Sequence, residues 1–131
     1  MRMTAEQLLQ CAMKARENAL APFSQFKVGA ALLTSGGKLY TGCNIENATY
    51  GLTVCAERVA LWKALSEGEW SFLRIAVASD GNPPAAPCGA CRQLLWEFCG
   101  DLEIIVGNTL GAKESHHLAD LFPRPFDRRC L

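Results

Sequence analysis

Apolar residues recur at Leu8, Leu9, Ala12, Met13, Ala15 and Ala19, the spacing that lines one side of a helix. Thr4, with Gln7 three residues on, has the form of a capping box, so a first helix is predicted from there to about Ala19, stopped by Pro22. The pattern then changes: residues 27–34 are a small and β-branched apolar run that reads as a buried strand. Ser35-Gly36-Gly37 supplies the positive-φ positions of a tight turn, and residues 38–42 return as the second strand of a hairpin. Residues 54–67 carry apolar side chains around much of a helix circumference, with Gly68 placed to cap the end. Such a helix asks for burial on more than one side. Residues 73–79 are continuously apolar, as in a strand covered on both faces. A Pro-rich loop over 81–87, a third helix from about Cys88 to Cys99 and a fourth strand over 102–107 follow. Beyond Asn108 the pattern supports a short edge strand near Lys113 and a brief helix near Leu118.

Strands separated by helices tend to pair in parallel through right-handed crossovers, so this order predicts an α/β fold. The expected architecture is three-layer α/β/α with a mixed, about five-stranded sheet between helical layers. The 131 residues fit a single domain, with no repeat, low-complexity segment or linker.

Half the residues are apolar, enough for a core, and 13 basic residues balance 13 acidic ones. Zero net charge disfavours nucleic acid and an anionic membrane surface as partners. No apolar run approaches the roughly 20 residues that cross a bilayer, and residues 1–10 lack the charged-then-apolar order of a signal peptide. A soluble, cytoplasmic protein is expected. In that reducing setting the 7 cysteines, an odd set with short spacings, read as metal ligands or catalytic groups rather than disulfides.

Pro87-Cys88-Gly89-Ala90-Cys91 places two thiols one turn apart at the start of a helix, where one metal can touch both and free amide hydrogens favour thiolates. Cys55-Ala56-Glu57 opens the other buried helix. A third thiolate there leaves Zn²⁺ one open position, toward which Glu57 can point: the description of a catalytic zinc with a non-ligand Glu. The competing arrangement is a closed four-cysteine knot serving an interaction domain. Cys99, eight residues beyond Cys91, is about 12 Å further along a continuous helix and cannot close it; Cys43 stays open as a fourth ligand, but a knot has no use for Glu57. Three thiolates weaken the metal as a Lewis acid, and Arg58 is positioned to donate hydrogen bonds to the sulfurs and withdraw charge.

With these residues, residues 21–32 (Ala-Pro-Phe-Ser-Gln-Phe-Lys-Val-Gly-Ala-Ala-Leu), Gly42-Cys43-Asn44-Ile45-Glu46-Asn47-Ala48, and Arg92-Gln93 after the second thiol pair, nearly the whole chain resembles cytidine deaminases, specifically the short homotetrameric type with three cysteine ligands. The resemblance implies that Cys55, Cys88 and Cys91 bind one zinc per subunit and that Glu57 shuttles protons. A zinc-activated water then attacks C4 of cytidine or 2′-deoxycytidine, giving uridine or 2′-deoxyuridine and ammonia, a step of pyrimidine salvage. It implies that Asn44 and Glu46 bind the ribose 3′-hydroxyl, that Phe26 packs against the pyrimidine, and that Ala56 lines the substrate site. It further implies that Ala48, Tyr50 and Phe126 belong to sites completed by neighbouring subunits, which suits a small domain whose own pocket is shallow. The chain departs from the family pattern at Ala86, commonly Ser, and in the ending around Phe126. A deaminase of a modified or antibiotic cytosine nucleoside is the competing enzyme reading. His116 and His117 are expected in a surface loop rather than a second metal site, and Cys11, Cys99 and Cys130 as buried or partly buried free thiols.

Overall fold

The Thr4 hydroxyl accepts the Gln7 N–H at 3.1 Å while the Gln7 side chain accepts the Thr4 N–H at 2.9 Å, closing a capping box on helix α1, Ala5–Arg16. The helix stops three residues before Ala19. Leu20 is already in an extended bridge to Ile45, with its N–H on the Asn44 carbonyl at 3.0 Å and its carbonyl accepting the Glu46 N–H at 2.8 Å. Tertiary pairing therefore ends α1 before Pro22 can act. This computed structural model describes residues 3–131; Met1 and Arg2, the start of the segment read for a leader, lie outside the described residues.

Strands β1 (Val28–Thr34) and β2 (Leu39–Cys43) form the expected hairpin, in which Gly37 takes a positive φ of 93° and Gly36 does not. Helix α2 (Ala56–Ser66), strand β3 (Phe72–Ser79), helix α3 (Gly89–Cys99) and strand β4 (Glu103–Asn108) follow. After α2, Gly68 takes φ 86° and its N–H reaches the Leu65 carbonyl, while Glu69 N–H reaches Ala64, a Schellman ending. Strand β5 (Lys113–His117) and the short helix α4 (Leu118–Leu121) complete the chain's regular elements up to a terminal turn.

The sheet order is β2-β1-β3-β4-β5. Parallel pairing through a helix holds for β3 and β4, joined by α3. It does not hold for β2 and β3, because α2 carries the chain over β1 and β3 then pairs with β1 antiparallel. His116 and His117 lie in β5, not in a surface loop: the exposed ladder edge of β4 recruits an all-polar segment, opposite Ile104 and Glu103.

Alternation along the strands sends Ala31, Leu33, Ala76, Ala78 and Ile105 to Leu8, Leu9 and Ala12 of α1, and Ala30, Leu32, Ile75, Val77 and Ile104 to the opposite face with Ala60, Leu61, Ala64 and Leu95. The result is three layers, α/β/α, around a mixed five-stranded sheet. Helix α2 buries one side only; Trp62 on its other side is exposed, edge-on to Phe98 at 6.2 Å between ring centroids. No helix among the described residues is long and apolar enough to cross a membrane.

Two strand glycines set how closely the helices approach. A Cβ at Gly29 would overlap the Ala12 carbonyl and the Arg16 backbone of α1, and one at Gly42 would lie 2.5 Å from the Ala56 carbonyl oxygen and 2.7 Å from the Ala60 nitrogen of α2. The atoms in the way are backbone and cannot rotate aside. Gly29→Ala and Gly42→Ala are each expected to lower folding stability by about 3 kcal/mol or more, the upper end for overpacked sites, read as a fall in urea midpoint.

Candidate metal and catalytic centre

Because β2 and β3 are each antiparallel to β1, they run in the same direction, and the helices that follow them begin at the same end of the sheet. Cys55 is the N-cap of α2 and Cys88 the N-cap of α3, with Cys91 one turn inside it. Their sulfurs converge: Cys55 Sγ to Cys88 Sγ is 3.9 Å and Cys88 Sγ to Cys91 Sγ is 3.6 Å. Tetrahedral zinc with sulfurs at about 2.3 Å needs sulfur–sulfur edges of about 3.8 Å, so the donor set fits that ion. Among the described residues no fourth His, Cys, Asp or Glu ligand atom joins the group. Cys43 and Cys99 stand apart from it, and the four-cysteine knot is not formed. Cys11 is half-buried with its thiol 3.9 Å from the Met3 sulfur, Cys99 is pushed up to about 12 by burial, and Cys130 is exposed rather than buried.

Hydrogen bonding with Cys91, and with Arg58 and Cys88, holds Cys55 down to about 5 against the cost of burial. Cys91 is correspondingly pushed up by the same bond and by burial. Arg58 Nη2 lies 3.2 Å from Cys55 Sγ, and both helix N-termini add positive potential. Glu57 points inward from the first turn of α2, 5 % exposed, and burial pushes its carboxyl up to about 7; the neighbouring Cys55 charge adds to this, while its own backbone hydrogen bond and Arg58 oppose it.

Cys55, Cys88 and Glu57 border a cavity of about 310 Å³ that also presents Phe26, Asn44, Glu46 and the fully buried Ala56. The loop entering α3 is held from behind, with Arg92 donating from Nε to the Pro87 carbonyl at 2.8 Å and from Nη1 to the Leu121 carbonyl at 2.9 Å.

The family described as "Cytidine and deoxycytidylate deaminase zinc-binding region" matches residues 2–108, a span that holds all three sulfurs and Glu57. The chain belongs to this deaminase family. It is 47% identical over 130 residues to the cytidine deaminase of Sporosarcina psychrophila, covering 98% of this chain and 96% of that one. Over 125 residues it is also 47% identical to the cytidine deaminase of Halalkalibacterium halodurans, with 95% of each chain covered. The solved cytidine deaminase of Burkholderia pseudomallei superposes with a TM-score of 0.92 at 48% identity, covering 95% of this chain and 100% of that one.

Within this family frame, one chain brings together Phe26, Asn44, Glu46, Ala56, Glu57 and two of the three sulfurs around one cavity. Asn44 is committed to structure, its Oδ1 accepting the Val28 N–H at 2.9 Å and its Nδ2 donating to the Phe26 carbonyl at 2.7 Å. That leaves one lone pair and one hydrogen free. Ala48, Tyr50 and Phe126 are not brought to the cavity. Tyr50 is 72% exposed, edge-on to Phe23, and Phe126 is 60% exposed with its carbonyl held by Gln93 Nε2 at 2.7 Å. Ser24, Thr53, Val54 and Ala86 also line the cavity and were given no role by sequence; small residues in loops carry no periodicity that would single them out.

The raised carboxyl has a stability signature. A group with a folded value of about 7 against 4.5 ordinarily contributes stability below pH 4.5 that is lost as pH rises through 7. Glu57→Gln lacks that dependence. In the chelator-treated protein, the variant is expected to gain about 3 kcal/mol on the parent between about pH 4.5 and pH 8, measured from urea midpoints at both values.

Proposed function

We propose that the protein hydrolyses cytidine and 2′-deoxycytidine to uridine and 2′-deoxyuridine, releasing ammonia, in the manner its relatives' names describe. The observation that carries this reading is the pairing of a three-sulfur cluster, open on one side, with a buried carboxyl in the same cavity. Cys55, Cys88 and Cys91 hold the zinc. When bound, zinc supplies the Lewis acidity that brings a water molecule's pKa toward neutrality. Arg58 and the two helix N-termini draw charge from the sulfurs, which would otherwise blunt that acidity.

Glu57 carries the protons. A carboxyl poised near neutrality accepts one from the attacking water, passes it to N3 of the pyrimidine as C4 is attacked, and assists the amine as it leaves. Phe26 packs against the base and Ala56 forms part of the wall beside it. Asn44 and Glu46 face the ribose, where a carboxylate, which only accepts, matches a hydroxyl donor. Among the described residues no Lys or Arg lines the cavity, so a nucleoside fits it better than a nucleotide bearing a phosphate. Exposed Ala48, Tyr50 and Phe126 then complete the sites of neighbouring copies in a homotetramer. Seven free thiols suit a reducing, cytoplasmic setting.

Glu57→Gln is expected to keep one zinc per chain by elemental analysis and to lose between about 10² and 10⁴ in turnover, followed by the absorbance change from cytidine to uridine. Undiminished turnover overturns the assignment of Glu57. Mass in solution should correspond to four chains; an active monomer excludes shared sites.

A further inference from the structure

The segment linking α1 to β1 is a tight turn: the Gln25 N–H reaches the Ala21 carbonyl at 2.9 Å, and Gln25, not a glycine, takes the left-handed φ of 59°. Such a conformation persists in a non-glycine residue only when surrounding bonds over-determine it. The bonds converge on Glu46. Its Oε1 accepts the backbone N–H of Phe23 at 3.0 Å and of Ser24 at 3.1 Å, and its Oε2 accepts the Ser24 hydroxyl. The Ser24 Oγ in turn accepts the Phe26 N–H at 3.0 Å, so the hydroxyl's single hydrogen is directed at the carboxylate. Glu46 is held on the main-chain side as well, its own N–H on the Leu20 carbonyl. Hydrogen bonding from Ser24, side chain then backbone, keeps the Glu46 carboxyl below its ordinary value, so it stays an acceptor throughout the neutral range.

We infer that Ser24 is a positioning residue for the deaminase: its hydroxyl fixes the rotamer of Glu46 so that the remaining lone pair of Oε2 faces the cavity, ready for a sugar hydroxyl. Both Ser24 and Glu46 line that cavity. A free glutamate has three side-chain torsions to order when the ribose arrives; here the ordering is done before binding. The role belongs to substrate affinity and not to the bond-making step, because Ser24 touches neither the sulfurs nor Glu57. This inference rests on the reading of Glu46 as the ribose-binding carboxylate.

The experiment is a double-mutant cycle on cytidine deamination by the zinc-loaded protein. Ser24→Ala is expected to raise KM for cytidine about tenfold, the loss of one hydrogen bond to a charged group, with kcat changed less than about threefold. Zinc content is expected to be unchanged. In the Glu46→Ala background the same change should alter KM less than about twofold, since the acceptor it positions is gone. Ser24→Thr and Ser24→Val, equal in shape and differing by the hydroxyl, should separate in the same direction, with Thr near the parent; this pair carries the comparison even where Ser24→Ala perturbs the turn. An equal KM effect of Ser24→Ala with and without Glu46, or Thr and Val variants that behave alike, overturns the inference and leaves Ser24 as a turn residue. A Glu46→Ala variant with the parent's KM instead removes Glu46 from the ribose site, and the proposal falls with it.

Discussion

The first turn of α2 can lie directly on β2 because position 42 has no side chain. That turn carries Cys55, Ala56 and Glu57, and the atoms a Cβ would strike are the carbonyl of Ala56 and the nitrogen of Ala60. One missing methyl group thus sets the depth at which a sulfur and a carboxyl enter the cavity. The rest of the site is arranged around that depth. The β1 strand, shared as an antiparallel neighbour by β2 and β3, makes both following helices start at one end of the sheet. Cys88 and Cys91 arrive from the second helix at the separation a tetrahedral ion requires.

The electrostatics follow from the same placement. The Cys55 sulfur sits where a helix N-terminus and the Arg58 guanidinium are positive and is drawn toward the anion. At Glu57 burial, with the Cys55 charge beside it, outweighs the opposing backbone hydrogen bond and Arg58. Two acids two residues apart at the start of one helix are therefore driven in opposite directions, one toward the anion and the other toward the neutral form. Burial of the Glu57 carboxyl is a cost to the fold, of the kind that gathers at functional sites.

The sequence was most legible where local pattern and final structure depend on the same contacts. The α1 capping box, the α2 ending at Gly68 and the paired thiols at the start of α3 are short-range features, and each stands where the spacing puts it. Long-range pairing was less visible. Nothing in residues 17–22 announces that Leu20 pairs with Ile45, so α1 read as three residues too long. The β5 segment, Lys-Glu-Ser-His-His, has no apolar alternation and becomes a strand because β4 offers a free ladder edge. The same limit applies to the site: Cys55 and Glu57 stood out by spacing, whereas the link from Ser24 to Glu46 spans 22 residues and depends on a turn no periodicity encodes. Tyr50 and Phe126 are exposed, one edge-on to Phe23 and the other held through its carbonyl by Gln93, and neither lines the cavity.

The polar character of β5 has a further effect. A sheet of five strands has two rims, each a row of unpaired amides and carbonyls that invites another chain to add on. At one rim the side chains of Lys113, Glu114 and His117 are exposed, and an incoming strand would have to strip water from them. At the other, Lys63 reaches from α2 to the Thr41 carbonyl at 2.6 Å and occupies an acceptor that a docking strand would need. Open-ended growth into fibrils is discouraged at both rims, which leaves helix faces and loops as the surfaces through which copies of this chain can meet in closed, countable assemblies.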